Sequence, residues 1–348
     1  MTITIDGSYG EGGGQILRTA LGLSALLGRG VEIERIRAER EKPGLRPQHL
    51  AGIRALARIA DAKVEGDEIG SQSLSFSPNK VKGGVYRINV AAERSSAGAV
   101  TLVLQVLLLP LCFSSLSSEV TLLGGTHVPW SPPFHYLSMI LLPTLARMGV
   151  CCEAEIVKWG WYPKGGGMIR VKIVPIVELQ SIDLSTRGRP RRIFGISAIS
   201  NLPNHIALRQ KERAYQRIKE RLRLVPDIII MDNAPSIGQG TVLFLILESE
   251  GGLSGFSALG RRGKRAEEVA DEAVDQLFEH IDSKGCIDPH LSDQLIPFAS
   301  LAKGKSVFTV SKITRHLLTN IWVVKQFIDV RFEVKGREGE AGRVEIHP

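Results

Sequence analysis

Residues 2–6, TITID, alternate polar and β-branched side chains with the period of two that a half-covered strand requires. From Gly13 to Leu27 the apolar spacing changes to three and four, which predicts a helix with one buried face. Val31 to Arg37 returns to the strand period. A second helix is expected from Pro47 to Ile59, with proline at the first helical position where its missing N–H is least felt. Strand-like pieces near 62–64 and 73–76 follow. The same order recurs: strand Tyr86 to Ala91, helix Ala97 to Cys112, strand Glu119 to Leu123, helix Phe134 to Met148, then strands Cys151 to Val157 and Met168 to Val174. A period of roughly 85 residues predicts a structural repeat, although residue identity between the copies is slight.

A third copy starts near Val177 and is interrupted. Its later parts return as helix Leu291 to Leu301, strand Ser306 to Val310, helix Thr314 to Ile328 and strands Val330 to Val334 and Arg343 to Ile346. Between them lies a segment with its own pattern of strands and two charged helices, Ile206 to Arg223 and Ala266 to Ile281, which reads as an inserted domain. The predicted fold class is α+β: three tandem strand-helix-strand-helix-strand-strand units with a small α/β domain inserted in the third. Residues 1–184 form the first part of the repeat domain, 185–280 the insert and 281–348 the final part.

Composition narrows the class of protein. The 348 residues suffice for a large core, and 43% hydrophobic with 23% charged residues is ordinary for a soluble globular chain. A net charge of +8 favours an anionic partner, and arginine-rich loops favour nucleic acid or nucleotide over a membrane. The four cysteines lack zinc spacing, so reduced, mostly buried thiols in a cytoplasm are expected, without a structural disulfide. No secretory pattern opens the sequence. The apolar run from Ala97 to Phe113 is interrupted by Thr101, Gln105 and Pro110 and reads as a core helix.

Several stretches carry candidate chemistry. In DGSYGEGGGQILR, Asp6 to Arg18, five glycines precede a helix start, a geometry that offers free N–H groups to a phosphate. Glu11 is a candidate metal ligand there, and Arg18 can grip a phosphoryl group with two donors; the alternative is a plain strand-to-helix turn. In Arg37 to His49, Arg37, Arg40, Lys42, Arg46 and Gln48 can converge on phosphate, or form a basic surface loop. Pro132, Pro133, Phe134 and Tyr136 can wall a purine or pack a rigid turn. The glycines of WGWYPKGGG, Trp159 to Gly167, imply close backbone approach or a hairpin. Arg187, Arg189, Arg191 and Arg192 can meet an RNA backbone or solvent. On the helix near 291, Asp293 and Gln294 are adjacent, so only one of them is expected to face a site. No serine, cysteine or lysine carries a nucleophile motif, so His316 is the candidate if a covalent intermediate is used; the alternative is an ordinary surface or capping histidine.

In order along the chain, GEGGGQILR, IRAERxKPGL with QH, SAG with TLVLQ, GGT before PP, YPKGGG, SDQL and HLLTN resemble the RNA 3'-terminal phosphate cyclase family over essentially the whole length. The resemblance implies repeats similar to the C-terminal domain of translation initiation factor three. It also implies an ATP-dependent, AMP-forming ligase that uses a divalent metal (Mg or Mn), adenylates a histidine and passes AMP to an RNA 3'-terminal phosphate. The vicinal 2'-OH then expels AMP and leaves a 2',3'-cyclic phosphate. By position, His316 corresponds to the nucleophile and Glu11 to the metal ligand. Arg18, Arg37 and Arg40 match the catalytic phosphate-contacting arginines. Gln48, Gln105, Asp293 and Gln294 join the ATP- or phosphate-binding set, and Pro132, Tyr136 and His290 fall on the adenine walls. Trp159 departs from the family pattern, standing where a basic residue is usual.

Two rivals stay in view. A noncatalytic cyclase-like ribosome-assembly protein lacks the histidine, whereas His316, Glu11 and Arg18 are all present. An enolpyruvyl-transferase-like enzyme needs a carboxylate-rich site, whereas these loops are rich in arginine. Since every motif lies outside 185–280, the insert is expected to take no part in the adenylation centre.

Overall fold

In the computed structural model, which describes residues 2–90 and 97–348, three four-stranded sheets share one connectivity. In the first, β1 (Thr2–Asp6) runs parallel to β2 (Gly30–Glu34), which pairs antiparallel with β4 (Leu74–Ser77), and β4 with β3 (Lys63–Glu65). The second repeats that order with β5 (Val85–Asn89), β6 (Ser118–Gly124), β8 (Gly167–Val174) and β7 (Cys151–Lys158). After the short β9 (Leu179–Gln180), the third uses β10 (Asp183–Leu184), β16 (Ser306–Val310), β18 (Gly342–His347) and β17 (Arg331–Lys335).

Helices α1 (Gly14–Leu27), α2 (Pro47–Ala60), α3 (Val100–Cys112), α8 (Pro289–Ala299) and α9 (Arg315–Phe327) pack on one another between these sheets. One apolar core runs through all three units. α1 touches α2, α3 and α9, so its side chains reach the middle of the molecule. Alternating burial along β8 shows why a period of two is written in the sequence: one face meets helices and the other meets water.

The segment after β10 builds a fourth sheet in the order β12 (Asp227–Met231), β11 (Pro190–Ser200), β13 (Gly240–Ser249), β14 (Leu253–Leu259). Leu243, Leu245 and Leu247 of β13 face α6 (His205–Leu222) and α7 (Ala266–Ser283) in a separate core. Phe244 and Ile246 face the opposite way, into the main core. Coverage on both sides explains the unbroken apolar run VLFLIL. Arginines of α6 pair with acids of α7, as Arg209 does with Glu267 at 2.7 Å and Arg217 with Asp275 at 2.7 Å.

Several expectations are corrected. Strand β2 stops at Glu34 because Arg35 and Arg37 take left-handed backbone angles, φ 51 and 53, and turn the chain. The helix expected from Phe134 to Met148 is three pieces: α4 (Phe134–Tyr136), a π turn Leu137–Leu141 and α5 (Leu142–Ala146). Pro143 has no N–H and its ring crowds the carbonyl one turn back, which a widened turn relieves. Ala91 and Ser96, at the end of one expected strand and in the SAG triplet, lie outside the described residues. The cysteines are all free, but only Cys112 and Cys286 are buried; Cys151 is exposed. Arg187 donates to the carbonyls of His280 and Ile281, both at 2.7 Å, and Arg192 pairs with Glu248, so these two brace the insert. Trp159 is buried, stacks on His127 at 4.2 Å and donates its backbone N–H to Pro235, seating the insert on the second unit. Among the described residues no helix is long and apolar enough to cross a membrane.

Candidate active site

A cavity of about 510 Å³ opens between α1, α3, α8 and the start of α9. Gln15, Arg18, His316 and Asn320 form its polar end, and Leu102, Leu108, Leu109 and Pro297 supply apolar wall. The loop before α1 owes its shape to Gly10 and Gly12, whose φ values of 60 and 59 are cheap only for glycine. The N–H of Glu11 then donates to Thr319 Oγ1 on α9 at 3.1 Å, which clamps the loop beside His316.

Gln15 sits between two groups. Its Nε2 donates to Asp293 Oδ2 at 3.2 Å, and its Oε1 meets His316 Nδ1 in a short contact. The carboxylate accepts only, so it fixes which way round the amide lies. Oε1 therefore faces the imidazole, Nδ1 carries the proton, and the Nε2 lone pair is left free. Burial, with help from Arg18, His290 and Arg40, lowers the pKa of His316 to about 4, so the ring is neutral at neutral pH. Asp293 is pushed the other way, to about 6, by burial that His290 and Arg18 only partly offset. Asn320 donates to the Asp293 carbonyl at 2.7 Å and accepts from Thr19 Oγ1 at 2.6 Å, which locks α1, α8 and α9 together.

The arginines divide into different roles. Among the described residues no hydrogen bond or ion pair engages the Arg18 guanidinium, which burial holds at a pKa of about 10, low for arginine yet still cationic. Arg40 is pinned on Glu11, contacting its carboxylate and donating to its carbonyl at 2.7 Å. Arg37 instead donates to the carbonyls of Lys42 and Gly44 and shapes its own turn, outside the cavity lining. Gln48 also lies outside it, with its Oε1 accepting the Ala99 N–H at 2.9 Å.

The remaining expected residues line the cavity: Gln105, Pro132, Tyr136, His290, Asp293 and Gln294. Asp293 and Gln294 both do so, although neighbours on a helix point apart. Asp293 turns to α1, and Gln294 accepts from Gln105 Nε2 on α3 at 2.7 Å, so α8 lies across the floor of the cavity. Tyr136 and His290 stand edge to face at 87°, with the tyrosine hydroxyl donating to Asp288 at 2.7 Å; they are not two parallel walls. Phe134 is buried and does not line the cavity.

Asp288 joins three parts of the chain. It is 1% exposed, caps α8 through the N–H groups of His290 and Leu291, accepts from Tyr136, and receives the N–H of Gly255 at 3.2 Å. Gly255, Ser257 and Gln276 line the cavity beside it. The insert is therefore part of the wall, contrary to the expectation from motif positions.

Sequence reasoning passed over Gln15, Thr319, Asn320 and His49. The first three stand inside the GEGGGQILR and HLLTN stretches, so the motifs held the signal. His49 Nδ1 accepts the Arg46 N–H at 3.1 Å, which puts its proton on Nε2, near Gly14 and Arg18. Its pKa is lowered to about 3 by burial and by Arg18, Arg37 and Arg46.

One buried atom bears on a metal. Glu11 Oε2 is inaccessible to solvent, has no hydrogen-bond partner, and lies 3.8 Å from His316 Nδ1. An anionic oxygen left in that state fits a cation. Among the described residues the one multi-ligand grouping, Glu333, Glu345 and His347, lies in the last sheet, where Arg331 and Arg343 pair with the two glutamates.

Known proteins resemble this chain over most of its length. The family model described as RNA 3'-terminal phosphate cyclase matches residues 9–334. A Pyrococcus furiosus protein of that name is 44% identical over 344 residues, 99% of this chain and 98% of its own. One from Methylococcus capsulatus is 46% identical over 353 residues, 99% and 96% of the two chains. A solved EPSP synthase from Acinetobacter baumannii covers 100% of this chain and 64% of its own at 13% identity, with a TM-score of 0.29, too slight to carry an argument.

Proposed function

Since this chain belongs to the RNA 3'-terminal phosphate cyclase family, of which the named relatives are enzymes, we propose that it uses ATP to convert an RNA 3'-terminal phosphate into a 2',3'-cyclic phosphodiester. The observation that carries the mechanism is the Asp293–Gln15–His316 chain, which leaves His316 Nε2 unprotonated at the polar end of the cavity. That nitrogen attacks the α-phosphate of ATP. A P–N bond forms, the bond to the bridging oxygen breaks, and pyrophosphate leaves. An oxygen of the RNA 3'-phosphate next displaces the imidazole, giving an RNA-adenylate. The vicinal 2'-OH then attacks the 3'-phosphorus, loses its proton to solvent and expels AMP. Adenylation supplies the leaving group that a phosphate monoester lacks, and the last step gains from proximity.

In this reading Arg18 binds phosphate, supported by its guanidinium in the cavity lining, unpaired among the described residues, and Arg40 fixes Glu11. Glu11 is the residue that would hold a divalent ion, which would offset the charge of the triphosphate. Pro132 and His290 are the adenine contacts favoured by the cavity, with Tyr136 meeting the base edge. Gln105 and Gln294 present amides to it. Arg37 and Gln48 act on the site through the loops they shape. The three like-connected sheets are read as copies of one repeat, with the insert from 185 to 280 in the third, and the enzyme as cytoplasmic. Retention of His316 beside a free Arg18 favours this reading over a noncatalytic scaffold.

The test is incubation with ATP labelled in the α-phosphate. Wild type should acquire label that is acid-labile and alkali-stable, as a P–N bond is. His316→Ala should take none, yet should still cyclise RNA supplied already adenylated. Label persisting on the alanine variant would place the AMP on another residue.

A further inference from the structure

We infer that Tyr9 and Trp322 form a stacking platform for the 3'-terminal base of the RNA, an inference that rests on the cyclase reading. Tyr9 lies parallel to Trp322, with ring centroids 4.0 Å apart and planes within 14°. Trp322 is partly buried against the core, whereas Tyr9 is 44% exposed. One aromatic ring is thus backed by a second and remains open to solvent. A nucleobase of any identity has a face that extends such a stack.

Position singles out the ligand. His316, Thr319 and Trp322 follow at intervals of three on α9, so they share one side of it. Thr319 holds the N–H of Glu11, and Tyr9 stands two residues earlier in the same loop. The loop therefore runs along α9 from the nucleophile to the stacked rings, a rise of about 9 Å, the reach of a nucleotide whose phosphate is at the histidine. Tyr9 is absent from the cavity lining, so the base it meets is not the one bound inside with ATP. The reaction needs a second nucleotide, and it must arrive from outside. Arg35, which pairs with Asp6 at 3.1 Å and is 61% exposed, and Arg40 on Glu11 lie beside the loop, where guanidinium N–H groups not used in those pairs can donate to a phosphodiester oxygen.

The measurement is binding of a fluorescent RNA ending in a 3'-phosphate, by anisotropy without ATP, beside self-adenylation with ATP alone. Tyr9→Ala should weaken RNA binding roughly tenfold, Tyr9→Phe should restore it, and self-adenylation should be equal in all three. RNA whose last ribose is abasic should bind wild type roughly tenfold more weakly, with no further loss in Tyr9→Ala. Binding by Tyr9→Ala within twofold of wild type overturns the platform. So does a loss that persists on abasic ends, or one explained by a change in oligomeric state. If wild type fails to label with ATP at all, the cyclase reading has failed and takes the platform with it.

Discussion

Replacing Gln15 by leucine keeps most of the side-chain volume and removes both amide contacts. His316 Nδ1 then loses its acceptor and Asp293 its donor at 3.2 Å. A neutral hydrogen bond contributes about 0.5–1.5 kcal/mol net, so the share of His316 with Nε2 bare and aimed should fall by up to about tenfold. The loss is bounded because Glu11 Oε2, 3.8 Å from Nδ1, can take over as acceptor. Single-turnover formation of the labelled adduct reports it directly, and the dependence on ATP concentration should hardly move. A companion variant, Gln15→Glu made in an Asp293→Asn background so that two carboxyls do not face each other across 3.2 Å, keeps the acceptor and puts a charge on it. A carboxylate about 4 Å away at an effective dielectric near 20 is worth about 4 kcal/mol, or up to about three pKa units. The acid limb of the rate should therefore move from near 4 towards neutrality. Rates within twofold of wild type for Gln15→Leu, together with an unmoved acid limb for Gln15→Glu, would refute the orienting role.

Asp293 titrates at about 6 in place of 3.8, so the folded state binds more protons than the unfolded one inside that window, and stability falls as pH rises through it. Asp293→Asn should accordingly stabilise the protein at pH 7.5 by on the order of 2 kcal/mol and do little at pH 4; equal gains at both values in chemical denaturation would count against the buried charge. Glu11→Gln should fold normally, label at least about tenfold more slowly and lose its response to magnesium, and a wild-type magnesium titration would remove Glu11 from the metal role. A Cβ on Gly255 would lie 2.8 Å from Ile140 and 3.0 Å from Tyr136, so Gly255→Ala should push the tyrosine into the cavity and raise the KM for ATP. An unchanged KM would show that the insert's wall is not felt by the nucleotide.

Much of the fold is legible because each element answers to a local rule. The period of two in Thr2–Asp6 and the Pro47 helix start mark their elements closely. Failures occur where the backbone departs from a pattern that the side chains keep, and where distant contacts decide. Arg35 and Arg37 end a strand whose apolar pattern continues, and Pro143 forces a π turn into a run that keeps helical spacing. At the site, sequence can nominate His316 but not its partner, because Gln15 lies 301 positions away. The rule that neighbours on a helix face apart holds for Asp293 and Gln294; only the surroundings show that both directions lead into one cavity. The insert's share of the wall carries no motif, since Gly255 acts through its backbone N–H and its lack of bulk.

Asp288 also bears on how the enzyme comes into being. Its contacts to Tyr136 and Gly255 tie residues 152 and 33 positions apart, and the helix it caps lies against α9, whose His316 and Asn320 are translated after every other residue of the cavity lining. No early fragment holds a complete pocket. A chain without α9 therefore lacks His316 and Asn320 from the cavity wall, and the wall is completed only when that helix docks.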